Sequence, residues 1–184
     1  KCEEINKKRK SICKRSVQEA FCIMDDKPSK NLPFILLAQS NWHHGIIGLI
    51  AARVMDKYKK PVAILSGDKN GYFRGSVRSK KEFDVSKALE SCSMYLEKHG
   101  GHSCAGGFTI KAENIQFLEQ KLIEYAQEKN INNIDYVVEP EAYIDFSNIN
   151  SDLISTLNLM EPFGNGNPKP IFWSRGCEVM EKKY

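Results

Sequence analysis

Three short segments of the chain carry residue types suited to binding an anion. The first is Asn41-Trp42-His43-His44-Gly45-Ile46-Ile47-Gly48. It follows an apolar run, Pro33 to Ala38, that reads as a buried strand. It leads into Ile46 to Met55, apolar and long enough for a buried helix. The passage from a strand's carboxyl end into a helix start is where α/β sheets bind ligands. Free N–H groups and the positive end of the helix dipole suit an anion there. His43 stands beside that start, and Gly45 and Gly48 permit close packing or close ligand approach. The plain alternative is that His43 is a structural residue orienting the loop.

The second segment is Arg74-Gly75-Ser76-Val77-Arg78-Ser79. On a strand, Arg74, Ser76 and Arg78 share one face, because side chains alternate with a period of two. Two guanidinium groups flanking a hydroxyl make a phosphate grip, since Arg binds phosphate oxygens bidentately. The competing reading is the exposed face of a hairpin. The third segment, His99 to Gly107, holds four glycines within nine positions. Such a stretch can bring backbone N–H groups against phosphate oxygens, with His102 adding a hydrogen bond or a charge. His43, His99, His102 and Cys104 are also zinc-ligand types, but their spacing matches no common zinc module.

Missing from the pattern is a carboxylate cluster. Two-metal phosphoryl hydrolysis needs several carboxylates converging on the ions. Residues 30–110 contain six acidic residues and no Asp-x-Asp or Asp-His-His group. There is no phosphate-loop lysine motif and no Gly-x-Ser-x-Gly nucleophile turn.

The elements that must position these segments follow from periodicity and punctuation. Residues 1–25 read as one basic helix ended by Asp25-Asp26-Lys27-Pro28. It is either a connector between domains or a helix packed on its own domain. The strand at 33–38, the helix from Ile46 and a second strand at Val62 to Leu65 form a βαβ unit with parallel strands. The turn Gly67 to Gly71 leads into an antiparallel partner, Tyr72 to Arg78. Asp84 caps a helix whose buried positions are Val85, Ala88, Leu89, Cys92 and Leu96, ending at Gly100-Gly101. Ala105 to Ile110 reads as a strand and Ile115 to Ala126 as an amphipathic helix. Tyr136 to Ile144 reads as a strand, residues 151–159 as a short helix, and Pro170 to Met180 as strand-like. The fold class is therefore α/β: a mixed β-sheet with packed helices, preceded by a long helix.

At 184 residues and 41% apolar content, the chain can bury one real core, and disorder is not expected. The net charge of +4 is unevenly spread. Lys and Arg number nine against five acidic residues in 1–32, eleven against six in 40–104, and two against ten in 112–161. A polyanion would meet the basic part. The six cysteines form no Cys-x-x-Cys pair, and no export signal or membrane-length apolar run is present, so reduced thiols and a cytoplasmic setting are expected. The chain opens on Lys1 rather than Met and reads as part of something larger.

Taken together, the segments resemble a family. Trp42-His43-His44-Gly45-Ile46-Ile47-Gly48 with Ala51-Ala52-Arg53, Gly75-Ser76-Val77-Arg78-Ser79, Phe83-Asp84 with Ala88-Leu89, and Gly100-Gly101-His102 with Ala105 and Gly107 look like successive blocks of the RecJ family. Glu161-Pro162-Phe163-Gly164-x-Gly166-Asn167-Pro168 looks like the join to its oligonucleotide-binding barrel. These are single-strand-specific 5′-to-3′ DNA exonucleases of repair and recombination, within the DHH phosphoesterases. Gly106 departs from the pattern, where the family commonly has Ala, and His44 falls at a variable position.

The resemblance implies a connector helix at 1–28, a DHH-associated substrate-binding domain at 29–160, and the start of a truncated barrel at 161–184. It implies that Ser76, Arg78 and Ser79 hold backbone phosphates of single-stranded DNA. The Gly100-Gly101-His102 loop would lie at the phosphate near the scissile bond, with His43 close by. Manganese or magnesium would belong to Asp and His residues of a preceding catalytic domain, so this stretch alone is expected to have no nuclease activity. Two other readings remain: a DHH enzyme acting on short oligonucleotides or nucleotide phosphates, and a non-enzymatic nucleic-acid-binding module.

Overall fold

A computed structural model describes residues 2–26, 32–68, 70–131, 139–164 and 166–181. Contacts divide the chain into two units, 1–135 and 136–184.

The first unit is built on a five-stranded mixed sheet in the order β1-β2-β3-β5-β4. β1 (Ile35–Gln39) and β2 (Val62–Gly67) are parallel and joined by α2 (Ile47–Tyr58), which follows the long α1 (Cys2–Asp26). β3 (Tyr72–Arg78) runs antiparallel to β2 and to β5 (Ala105–Lys111), and β5 runs antiparallel to the edge strand β4 (Leu96–His102). The βαβ unit and the antiparallel β3 are as the sequence predicts. Continuous apolar runs in β1 and β2 reflect burial on both faces.

On one face, Phe34, Leu36, Ala63, Leu65, Val77, Phe108 and Ile110 pack against α3 (Val85–Ser91) and α4 (Ile115–Glu128). On the other, Ile35, Leu37, Val62 and Ile64 pack against α2, which α1 backs with Ala20 and Met24. Only the later half of α1 is anchored in this way, since Ile5 is 62% exposed. Asp84 caps α3 as expected, accepting from the Lys87 amide at 3.1 Å.

One expectation fails in this unit. The helix from Val85 stops at Ser91, a single 3-10 turn spans Ser93–Tyr95, and residues 96–102 form β4. Leu96 continues the 3.6-residue apolar rhythm, but pairing with β5 decides its conformation. The Gly100-Gly101-His102 segment is consequently the end of an edge strand and not a loop closing a helix.

In the second unit, β6 (Ala142–Tyr143) pairs in parallel with β7 (Phe172–Trp173), and α5 (Ser151–Asn158) lies between them in sequence. Asn150 caps α5, accepting from the Leu153 amide at 2.9 Å. The strand expected over 136–144 reduces to Ala142–Tyr143, with 136–138 outside the described residues. The strand expected over 170–180 reduces to Phe172–Trp173.

Candidate functional site

α2 covers β1, β2 and the near side of β3 but leaves the rest of that sheet face open. The ladder registers fix what stands there. Across the strands run three rows: Ser66–Arg74–Thr109–Lys98, Ile64–Ser76–Gly107–Gly100, and Val62–Arg78–Ala105–His102. Directly paired residues share a face. Arg74, Ser76 and Arg78 therefore rise on one side of β3, beside the small residues Gly107 and Ala105 of β5 and Gly100 of β4.

A groove of about 590 Å³ opens on this face. Arg74, Ser76, Arg78, Thr109, Lys98 and His99 form one wall, and His44, Gly45, Ile47 and Gly48 of the α2 entry form the other. Arg78 is the centre of the arrangement. Its Nη1 donates to Ser76 Oγ at 3.0 Å and to the Val77 carbonyl at 2.8 Å. Its Nη2 lies against Gly48 so closely that a Cβ built there would come within 2.8 Å of it. Glycine at 48 thus lets a guanidinium lie against the first turn of α2.

Neither Arg74 nor Arg78 forms an ion pair with an acidic side chain among the described residues. No side chain caps α2. A guanidinium and the positive end of a helix dipole accordingly converge with no protein anion between them, an arrangement completed by an anionic ligand.

The turn before α2 is fastened from outside the groove. Trp42 is 3% exposed, and its indole Nε1 donates to Glu19 Oε2 of α1 at 3.0 Å. Asn41 Nδ2 donates to the same carboxylate at 3.2 Å. Ser66 Oγ on β2 donates to the Trp42 carbonyl. His43 Nδ1 accepts from the Gly45 amide at 3.0 Å, which places the proton of a neutral ring on the outer Nε2. The His43 ring stacks on His44 with centroids 4.5 Å apart.

The donors around the groove are guanidinium, ammonium, hydroxyl and imidazole groups. They do not fit magnesium or manganese, which take carboxylate, carbonyl and water oxygens. Among the described residues, no three His, Cys, Asp or Glu side chains gather to hold a metal ion. Nor is any described helix long and apolar enough to cross a membrane.

Residues 31–128 match the model of the DHHA1 domain, and residues 140–184 match that of the RecJ OB domain. The chain belongs to the DHHA1 domain family. It is of RecJ type, as its relatives agree. It is 29% identical over 171 residues to the single-stranded-DNA-specific exonuclease RecJ of Bacillus subtilis, covering 91% of this chain and 22% of that protein. The RecJ of Haemophilus influenzae is 27% identical over 182 residues, covering 92% of this chain and 31% of the relative. A crystal structure of Thermus thermophilus RecJ in complex with Mn2+ superimposes with a TM-score of 0.77 at 23% identity, over 94% of this chain and 25% of that one. The chain thus spans between a fifth and a third of the length of these relatives.

Within this DHHA1 domain, the residues singled out in the sequence fall in different places. Arg74, Ser76 and Arg78 line the groove together. Ser79 follows β3 and is 4% exposed, its amide donating to the Cys104 carbonyl at 2.9 Å. The Ser79 Oγ finds no hydrogen-bond partner among the described residues. His43 is exposed but lies behind His44, which occupies the groove wall. Gly100 and His102 stand on the open face beyond the groove's lining. His102 lies two strand spacings, roughly 10 Å, from Arg78 across the row.

Gly101 answers a backbone constraint, since a Cβ there would meet the Ala105 carbonyl at 2.4 Å. At Gly106 a Cβ would meet Val85 and Leu89 of α3 at 2.7 and 2.8 Å. Lys98, Thr109 and His44 are groove residues that the sequence reading assigns no role. Thr109 is legible from its alternation with Gly107 on β5, whereas Lys98 becomes legible only once 96–102 is known to be a strand.

Proposed function

We infer that the groove holds the phosphate backbone of single-stranded DNA. In this reading the chain is the substrate-gripping part of a metal-dependent 5′-to-3′ exonuclease of DNA repair and recombination. The observation that carries it is the cationic, carboxylate-free groove in which the Arg78 guanidinium meets the uncapped start of α2. Arg74 and Arg78 are separated by about 13 Å along β3, so each reaches a different phosphate of an extended strand. Ser76 adds a hydroxyl donor between them, Thr109 adds one beside Arg74, and Lys98 continues the positive face toward the sheet edge, where His102 adds a hydrogen-bonding ring. Gly107 beside them lets the strand lie close to the sheet, and the groove lining holds no Tyr or Trp to stack on a base. Contacts of this kind position a strand without reading its sequence. The names of the relatives and the match of residues 140–184 to the RecJ OB domain support a ligand longer than a dinucleotide. The groove itself does not cut: it offers no carboxylate for magnesium or manganese, and hydrolysis would belong to carboxylates elsewhere in the whole protein.

The test is a salt titration of fluorescent oligo(dT) binding by wild type and Arg78→Ala. Each neutralised phosphate on a single strand contributes about −0.7 to the slope of log affinity against log salt. Arg78→Ala should flatten the slope by somewhat less than that and weaken binding by about tenfold, the lower end of a charge-assisted hydrogen bond. Identical slopes and affinities for the two proteins would remove Arg78 from the site and overturn the reading.

A further inference from the structure

A second positive groove lies on the outer side of α2. It has a volume of about 500 Å³ and is walled by Arg9, Lys10 and Lys14 of α1 and Arg53 of α2, over the aliphatic side chains of Val17 and Leu49. Lys10 and Lys14, four residues apart, share one face of α1, and Arg9 flanks them at the groove wall. Among the described residues, Arg9 hydrogen-bonds to the neutral Asn6 alone. None of the four cations has an acidic partner within 4.0 Å among the described residues. Four like charges held together repel one another, and nothing in the packing of α1 on α2 requires them, since that contact is made by Ala20, Met24 and their apolar neighbours.

The two grooves meet neighbouring residues of α2. Gly48 lines one and Leu49 the other, and Arg53 lies five residues, roughly 7.5 Å, further along the axis. The second groove runs from Arg9 to Gln18, about 13 Å of helix, which is room for several backbone phosphates. Its floor is aliphatic and contains no aromatic ring, so it can pack against sugars and attract phosphates but cannot stack bases.

We propose that this α1–α2 groove is a second backbone-phosphate site for single-stranded nucleic acid, taking the strand as it leaves the Arg74–Arg78 site over the start of α2. The proposal rests on the reading of the first groove as a phosphate site. Together the two give a track in which the first groove grips and the second adds affinity that depends on strand length. An acidic protein segment is the rival occupant. The unpaired cations and the adjacency to the first groove at Gly48 and Leu49 of α2 favour nucleic acid.

The test compares oligo(dT) of about four and about twelve nucleotides, lengths that bracket one site and both. Wild type, Lys14→Ala/Arg53→Ala and Arg78→Ala are measured, with circular dichroism to verify folding. All the substituted side chains of the double variant are exposed, so folding should be retained. The double variant should bind the short strand like wild type and the long strand more weakly. Its long-strand slope should be less steep by about 1.4, so that raising salt from 50 to 200 mM costs it about sevenfold less affinity than it costs wild type. Arg78→Ala should weaken both lengths.

A double variant indistinguishable from wild type on both strands, with Arg78→Ala still impaired, overturns the second site and leaves the first. Arg78→Ala indistinguishable from wild type on both overturns the first reading. Long-strand binding unchanged in the double variant, together with loss of poly-glutamate binding by that variant, assigns the groove to an acidic protein partner and overturns the proposal.

Discussion

Gly48→Ala should separate stability from binding in a single methyl group. The built Cβ lies 2.8 Å from Arg78 Nη2 and 3.2 Å from Ser76 Oγ, where an ordinary contact begins at 3.4 Å. The guanidinium must therefore retreat by at least about 0.6 Å. Retreat is cheap in folding terms, because the obstructing atom is the far end of a flexible side chain at a half-buried position. Alanine is also the better helix former, by up to about 1 kcal/mol in a helix interior and less in the first turn, where Gly48 sits. The melting temperature should accordingly stay level or rise.

Binding should fall instead. A hydrogen bond from a charged group is worth about 1.5–3 kcal/mol, and misplacing its donor should forfeit a part of that, about 1 kcal/mol or fivefold in affinity. Because the loss acts through Arg78, it should not add to that of Arg78→Ala: the double variant should bind like the Arg78→Ala single variant. Fluorescence anisotropy with labelled oligo(dT), alongside thermal melts of all four proteins, measures both quantities. Wild-type affinity in Gly48→Ala, or losses that add in full, would refute the claim that glycine at 48 exists to seat the guanidinium.

Two further outcomes follow from the same geometry. Glu19→Ala removes the acceptor of the buried Trp42 indole and of Asn41, and should cost about 1–3 kcal/mol in urea denaturation while loosening the 41–46 turn; unchanged stability would show that the turn is held without α1. Gly106→Ala pushes a methyl into Val85 and Leu89 and should cost about 1–3 kcal/mol by overpacking, whereas Gly100→Ala, which meets nothing within 4 Å, should leave the melting temperature close to that of wild type; equal shifts for the two would contradict the packing of α3 on β5.

Much of this molecule is legible in sequence because its signals are local. The apolar runs at 33–38 and 62–65 and the helix between them specify the parallel pair, since each is a complete burial pattern in itself. The alternation in Arg74-Gly75-Ser76-Val77-Arg78 puts three polar side chains on one face by the geometry of any strand, whatever its neighbours. The cap at Asp84 is equally local.

What tertiary structure alone decides is everything that depends on a partner distant in the chain. Residues 96–102 carry Leu96 in helical phase with Val85 to Cys92, and only the β5 strand beside them converts them to an edge strand. That pairing places Lys98 in the row of Arg74 and His102 in the row of Arg78, and no spacing along the sequence encodes either. Gly48 and Arg78 are thirty residues apart, yet the clearance between them defines the groove. The basic charge of the first helix is visible in composition, but its gathering with Arg53 into a second groove depends on how α1 packs on α2. Residue types thus named the chemistry, and the pairing of strands and the packing of helices determined which of those residues meet.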